Sequence, residues 1–420
     1  MNKSLILHFR PKTVNNKALD LTLTFGLGGM SFILILLLFG TGILLKFYYL
    51  PFPDRAYDSI VYLNNNVMFG PFIRNIHYWS ANALILVAFL HLLRVFFTSA
   101  FHPPRQLNWI IGLCLFFIIM LFNFTGYLLP WDQLSFWAVT ICTGIMEYIP
   151  WVGDRMQTFI RGGTEVSSAT LSIFYTAHTV LFPAFIIILL PFHFWRIRKA
   201  GGIVIPDCDK KECLKVPVMP DLLLREFVIT LVLIAGILIL SIFFNAPLGD
   251  MANPGLSPNP TKAPWYFMGL QEMLLHIHPF FAVCIIPILT IIGLLLVTYD
   301  NYDESFEGIW FISHKGRTSS AFFFTGALLF STTGIILDEY FVNFTHWMPG
   351  IPQMISNGLL PMVIFFAVSF VFYKVIKKRF HLNKNEKVQG IFVFFLAVIF
   401  MFTITGIWFR GEGMKLIWPF

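Results

Sequence analysis

Nine apolar stretches, each about as long as a bilayer is thick, constrain this chain more than any other feature: 22–45, 76–97, 109–128, 170–195, 225–245, 280–298, 320–337, 353–373 and 389–409. A hydrocarbon core roughly 30 Å thick takes about 20 residues of helix. Inside it every backbone N–H and C=O needs an internal partner, which only helices and closed barrels supply. The composition agrees: 57% hydrophobic, 12% charged, mean hydropathy +0.74. Too few polar residues remain to clothe a water-soluble sphere of this size. The expected fold is an all-α polytopic membrane protein, an N-terminal four-helix bundle followed by about five further transmembrane helices.

The net charge of +7 would suit an acidic partner were it not for its placement. With the N-terminus inside, Lys3, Arg10, Lys12 and Lys17, the cluster from Arg196 to Arg225 and the run from Lys374 to Lys387 all face the cytoplasm. On that reading 21 of the 29 Lys and Arg residues fall on the inner side and 8 on the outer. Such a bias sets orientation during insertion, so nucleic acid is not an expected partner. The basic, polar first 20 residues lead into an apolar run too long for a signal-peptide core, so no cleavable leader is expected.

Three outer loops, 46–75, 129–169 and 246–279, are long, and the last two are dense in Trp, Pro, Gly and Tyr. Irregular backbone of that kind suits packing against protein or ligand instead of lipid. Three segments are distinguished: 1–200, 201–310 and 311–420, the last without a readable motif. The five cysteines, Cys114, Cys142, Cys208, Cys213 and Cys284, have no metal or redox spacing and read as free thiols.

Chemistry enters with four histidines inside the expected spans: His77 and His91 in the second, His178 and His193 in the fourth. The separations are 14 and 15 residues, about 21 to 22 Å along a helix, returning to within about 40° and 60° of the starting direction. The second and fourth spans run parallel, so His77 is expected level with His178 near the outer side, and His91 level with His193 near the inner side. Two levels with two facing imidazoles each are what bis-histidine haem b requires, because low-spin iron takes an axial nitrogen on both faces of the porphyrin. A zinc site would need its ligands to converge within a few ångströms. Intramembrane histidines are functional by default.

Gly28 and Gly42 in the first span, and Gly112 and Gly126 in the third, are also 14 apart. They read as places where helices approach a flat plate without side chains, with ordinary small-residue packing as the alternative. Arg74 and Arg94, three residues beyond His77 and His91, would stand near haem edges as cations for propionates, or act as snorkelling anchors.

These residues resemble cytochrome b of the bc-type quinol–cytochrome c reductases and of the chloroplast quinol–plastocyanin complex. The likeness covers roughly residues 20–300. It is carried by Ile73–Ser80 (IRNIHYWS), Phe124–Val139 (FTGYLLPWDQLSFWAV) and the stretch from Arg161 to His178. The 15-residue histidine interval resembles the chloroplast branch, whereas the fusion of both halves in one chain resembles the mitochondrial one. The family implies two b haems, a low-potential one on His77 and His178 and a high-potential one on His91 and His193. It implies quinol oxidation on the outer side, with Trp131, Pro264, Trp265 and Tyr266 among the quinone-binding residues. Where the family motif reads Pro-Glu-Trp-Tyr, this chain reads Ala263-Pro264-Trp265-Tyr266. The usual carboxylate is therefore replaced by proline. Tyr266, Glu272 and Asp132, with Glu147 a weaker choice, are the candidate catalytic groups left to handle the outer protons. On the inner side Arg198 and Asp221 would flank quinone reduction. Gly26 stands where the chloroplast protein has a cysteine, so a covalently attached extra haem is not expected.

By the same resemblance, quinol gives one electron to a Rieske-type iron–sulfur protein docked on the 140–169 loop. The other crosses the membrane through the two haems to quinone at the inner site. A c-type cytochrome or another haem subunit, the quinone pool, the lipid bilayer and a second copy of the complex complete the expected partners. The proline hints at a low-potential quinol such as menaquinol, and a bacterial inner membrane is the expected location. Two rival readings are a haem-b anchor passing electrons without bifurcation, and a transporter using the histidines as a proton relay.

Overall fold

A computed structural model of the chain describes residues 12–206, 214–300, 302 and 307–418. Lys3 and Arg10 of the charge pattern, and Cys208 and Cys213, lie outside the described residues. Cys114, Cys142 and Cys284 are free thiols. Among the described residues, eight helices are long and apolar enough to cross a membrane, and the chain is an integral membrane protein. It divides into two compact units, one comprising Met1–Asp132, Ser167–Met251 and Glu304–Ile309, the other Gln133–Val166, Ala252–Asp303 and Trp310–Phe420.

The first unit is built from α1 (Leu27–Lys46), α2 (Ala56–Asn66), α3 (Gly70–Phe97), α4 (Gln106–Leu128), α5 (Ser168–Lys199) and α6 (Val218–Phe243). Helix α1 packs on α3, α3 on α6, and α4 on α5. Polar side chains fix the α3–α6 junction, where an unpaired group would be costly away from water. Asn75 Nδ2 donates to Ser241 O at 2.9 Å, its Oδ1 accepts from Ala246 N at 2.8 Å, and Trp79 Nε1 donates to Phe244 O at 2.8 Å. A short antiparallel pair, Thr13–Asn15 with Lys215–Pro217, joins the segments preceding α1 and α6. Helix α5 starts at a capping box made by Ser167 and Thr170, which satisfies end N–H groups that no helical carbonyl can reach.

The second unit contains α7 (Gln133–Gly144), α8 (Gly153–Arg161), α9 (Met268–His276), α10 (Phe281–Leu296), α11 (His314–Tyr340), α12 (Ile355–Phe380) and α13 (Lys384–Trp408). Helix α10 occupies the sixth expected span, 280–298, but is shorter than the other eight. It is a π turn (Phe281–Ile285) continued by eleven α-helical residues, and extends about 24 Å, less than the roughly 30 Å hydrocarbon core. Ile277, which caps the preceding helix α9, is extended and separates the two.

Both ends of the α11–α13 pair are pinned by buried charge. At the start, Glu386 caps α13 together with Asn383 and accepts from Ser313 Oγ at 2.6 Å and Lys315 Nζ at 3.2 Å. At the finish, Arg410 Nη1 reaches Glu339 at 2.7 Å. A phenylalanine seam joins α11 to α12, with Phe330 against Phe365 (5.4 Å between ring centres) and Phe323 against Phe372 (5.9 Å). Offset and edge-on rings of this kind add to simple area burial.

Candidate functional site

Helix α3 carries His77 and His91, and α5 carries His178 and His193. A regular helix would turn the second pair to about 60° of offset over fifteen residues, against about 40° over fourteen. The chain absorbs the extra residue in a π turn at Ala177–Leu181, which includes His178 itself; wide turns of this sort recur at functional sites. The structure brings the four rings together as two pairs. His77 and His178 have ring centres 6.2 Å apart, and His91 and His193 6.5 Å apart.

Each spacing suits a single metal atom between two imidazoles. Metal–nitrogen bonds of about 2.0 Å, and about 1.15 Å from each nitrogen to its ring centre, put the centres roughly 6.3 Å apart. The ring tautomers are set from behind. Thr41 Oγ1 donates to Leu37 O at 2.7 Å, so at its 2.9 Å contact with His77 it accepts from Nδ1–H. His178 Nδ1–H donates to Phe122 O at 3.0 Å. Both arrangements leave Nε2 with a free lone pair, the form a metal ligand needs, and orient the ring. His193 Nδ1 lies toward the Asn108 carbonyl without reaching hydrogen-bond geometry.

The four glycines pair with the four histidines one to one. A Cβ added at Gly42 would stand 3.3 Å from His77 Cε1, at Gly126 2.6 Å from His178 Cε1, at Gly28 3.3 Å from His91 Cε1, and at Gly112 3.6 Å from His193 Cε1. The 14-residue glycine interval thus mirrors the histidine interval, because each glycine makes room for an imidazole. Around the inner pair is a cavity of about 260 Å³ lined by Gly28, His91, Arg94, Gly112, His193 and Glu226 among others. Arg94 Nε donates to Leu23 O at 2.8 Å, while its buried Nη2 has no protein partner. A cation held with one donor unspent suits a carboxylate-bearing group in that cavity. The residues fit a haem at each level.

Arg74 is differently disposed. Its Nη1 and Nη2 donate to the carbonyls of Ala246 and Pro247 at 2.9 and 2.5 Å, so much of its hydrogen-bonding capacity ties α3 to the segment after α6. Asp132 is buried and accepts from Gly249 N at 3.0 Å. Its neighbour Trp131 is buried in a left-handed conformation, φ +54°. Arg198 and Asp221 are half-buried near the end of α5 and the start of α6. Glu226, one turn further into α6, abuts Gly29 and lines the inner cavity; its signal in the sequence is a carboxylate at the edge of an apolar run.

In the second unit, Pro264, Trp265 and Tyr266 form the turn that opens into α9. Gln271 braces it by accepting from Ala263 N at 2.7 Å and donating to Thr261 O at 2.7 Å. Glu147 accepts from Gln157 Nε2 at 3.2 Å. Glu272 is fully buried and engaged by Arg410 through Nη2 at 2.7 Å and Nε at 3.0 Å. His276 completes the cluster, with Nε2 3.1 Å from Glu272 Oε1 and Nδ1 2.7 Å from Asp338 Oδ2. Burial alone would raise the Glu272 carboxyl, but the hydrogen bonds from His276 and Arg410 and their charge hold it below its ordinary value. Burial alone would keep His276 neutral, yet Asp338 and Glu272 raise its pKa to about 8. Glu272 is a candidate legible in the sequence, whereas its partners His276, Asp338 and Arg410 stand at or near the ends of three different helices.

The likeness to known protein sequences lies in the N-terminal half of the chain. The profile of the family described as cytochrome b/b6/petB matches residues 14–201. Cytochrome b6 of Prochlorothrix hollandica is 46% identical over 175 residues, 42% of this chain and 79% of that protein. Cytochrome b6 of Crocosphaera subtropica is 45% identical over the same length and the same shares. A solved structure described as a hyperthermophilic respiratory Complex III matches 94% of this chain and 92% of its own, with a TM-score of 0.66 and 24% identity. At that identity the likeness speaks for the fold across both units.

Proposed function

We propose, from the premise that this chain belongs to the cytochrome b/b6 family, that it holds two b haems and links an outer quinol-oxidation site to an inner quinone-reduction site within a bc-type complex. The observation that carries this reading is the pair of imidazole gaps, 6.2 and 6.5 Å between ring centres. Haem b, held by His77 with His178 and by His91 with His193, would supply one-electron redox chemistry at two depths of the bilayer. Thr41 and the Phe122 carbonyl keep the outer imidazoles in the ligating tautomer. Arg94 offers its unspent Nη2 to a propionate at the inner level.

Pro264, Trp265 and Tyr266 are assigned to quinone binding on the outer side, and Arg198 and Asp221, joined by Glu226, to the inner site. A Rieske-type protein and a haem-bearing subunit are the proposed partners, and a dimer in a bacterial inner membrane, N-terminus cytoplasmic, the proposed setting. The complex is to be purified with its partners, its haem counted as the pyridine adduct, and reduction of the pigment by added quinol followed spectroscopically. Two b haems per chain, reduced by quinol, are expected; none or one, or a pigment indifferent to quinol, overturns the reading.

The glycine contacts yield a graded prediction within the same experiment. Gly126→Ala would press a methyl group to 2.6 Å from His178, an overpacking that costs about 1–3 kcal/mol and is expected to deplete the outer haem. Gly112→Ala, at 3.6 Å from His193, is ordinary contact, and inner haem content should stay near the parent level. Equal losses from both would refute the one-to-one pairing.

A further inference from the structure

The cluster on α9 contains more than an ion pair needs. Glu272, Arg410 and Glu339 already neutralise one another in large part, and a cluster serving only to pin helix ends could stop there. Instead an imidazole is inserted with both ring nitrogens facing carboxylates, and the three acidic and imidazole side chains are graded in exposure. Glu272 is 0% exposed, His276 11% and Asp338 35%. Beyond Asp338 opens a polar recess of about 550 Å³, lined by Asp338, Asn343, Thr345, His346 and Asn357 with two apolar neighbours. The arrangement is a carboxylate, an imidazole and a second carboxylate in series, closed at one end and open to water at the other.

We propose that Glu272, His276 and Asp338 form a proton relay that conducts protons from behind the Ala263–Tyr266 turn to this recess. The inference rests on the quinol-oxidising function proposed above and assigns the outlet for its protons, in a chain whose motif carries proline at the usual carboxylate position. Its chemistry is proton exchange alone. A proton delivered from the Glu272 side forms an N–H bond at His276 Nε2. The N–H bond at Nδ1 breaks, and that proton passes to the Asp338 carboxylate and on to water in the recess. The imidazole ends neutral with its proton on the other nitrogen, and no electron moves.

The exchanging group is His276. Arg410 grips Glu272 through two nitrogens, and Lys262 adds positive potential, so that carboxylate stays ionised and holds a proton only in passing. His276 itself is faced by Glu272 on its own helix, Asp338 and, more distantly, Glu339 on α11, the Phe402 ring on α13, and Arg410, whose Nη2 is 3.4 Å from Nε2. Those groups place its protonation change near pH 8, where a relay can both accept and release a proton.

The test uses the assembled complex bearing Asp338→Asn, Asp338→Glu or His276→Gln, with reduced-haem absorbance as the measure of integrity. Asp338→Asn and His276→Gln are expected to lower kcat for quinol oxidation on the order of a hundredfold, with KM changed less than about twofold. Asp338→Glu should keep most of the rate. The parent rate should rise with pH through about 8, and that rise should vanish in His276→Gln. If the glutamine variant does not assemble, the two Asp338 variants decide. An active parent with an Asp338→Asn variant of unchanged rate and pH profile refutes the relay alone. A parent that holds haem but does not oxidise quinol refutes the function on which the relay rests.

Discussion

Replacing His178 by alanine is expected to remove the outer haem and spare the inner one, cutting haem from about two per chain to about one. The outer pair would be left with His77 alone, across a gap that the second imidazole had closed to 6.2 Å between ring centres. The haem would lose one of the two imidazoles proposed to hold it and the packing that His178 shares with Phe122, whose ring centre is 4.9 Å away. The inner pair lies about 21 Å further along the helices and keeps its own glycines, so it should load normally. A redox titration should then show a single b-type transition where the parent shows two. His91→Ala should give the complementary loss, with the other transition surviving. Two transitions of parental amplitude in either variant would mean that the imidazole pairs hold something else.

The second large effect concerns stability. Arg410 and Glu272 are 2% and 0% exposed. Removing one partner leaves a buried charge uncompensated, at a cost of about 3–5 kcal/mol. Arg410→Met or Glu272→Leu should each lower the thermal unfolding midpoint of the detergent-solubilised protein markedly. The double variant should recover much of the loss, since apolar replacement of a whole buried pair is often nearly neutral. Additive losses would show that the pair is not coupled. His276 gives the same cluster a pH signature. Its pKa in the fold, about 8, lies above the ordinary 6.5, so its contribution is complete below about pH 6.5 and disappears as pH rises through about 8. Glu272 is shifted the other way, so its contribution holds above its ordinary value and is lost as acid protonates it. Thermal midpoints measured from about pH 3 to about pH 9 should fall at both extremes, the acid loss setting in only below the ordinary carboxyl value, and Arg410→Met should flatten the acid limb.

Much of the haem-binding half was legible beforehand because helical periodicity is a local property. The 14-residue intervals of His77 to His91, Gly28 to Gly42 and Gly112 to Gly126 can be read straight from residue spacing. Helix geometry converts spacing into depth and direction without knowledge of neighbours. The 15-residue interval from His178 to His193 returns only to within about 60° on a regular helix. Its resolution, a π turn at Ala177–Leu181, depends on how α5 settles against α4, which spacing does not encode. Thr41, Glu226 and the spare donor of Arg94 were likewise hidden, because each acquires its role from a partner tens of residues away.

The amino-acid sequence by itself determined the solvent, the class of fold and the two levels of paired imidazoles, since apolar run length and helical repeat are set by bond geometry and the cost of unpaired backbone in lipid. Only the tertiary structure decided that each glycine serves one histidine, that α10 is shorter than the eight membrane-length helices, and that Glu272 shares its charge with Arg410 and His276. Those outcomes turn on distances between helices, and such distances follow from packing side chains at close to crystal density, a condition that no single stretch of residues can impose on its own.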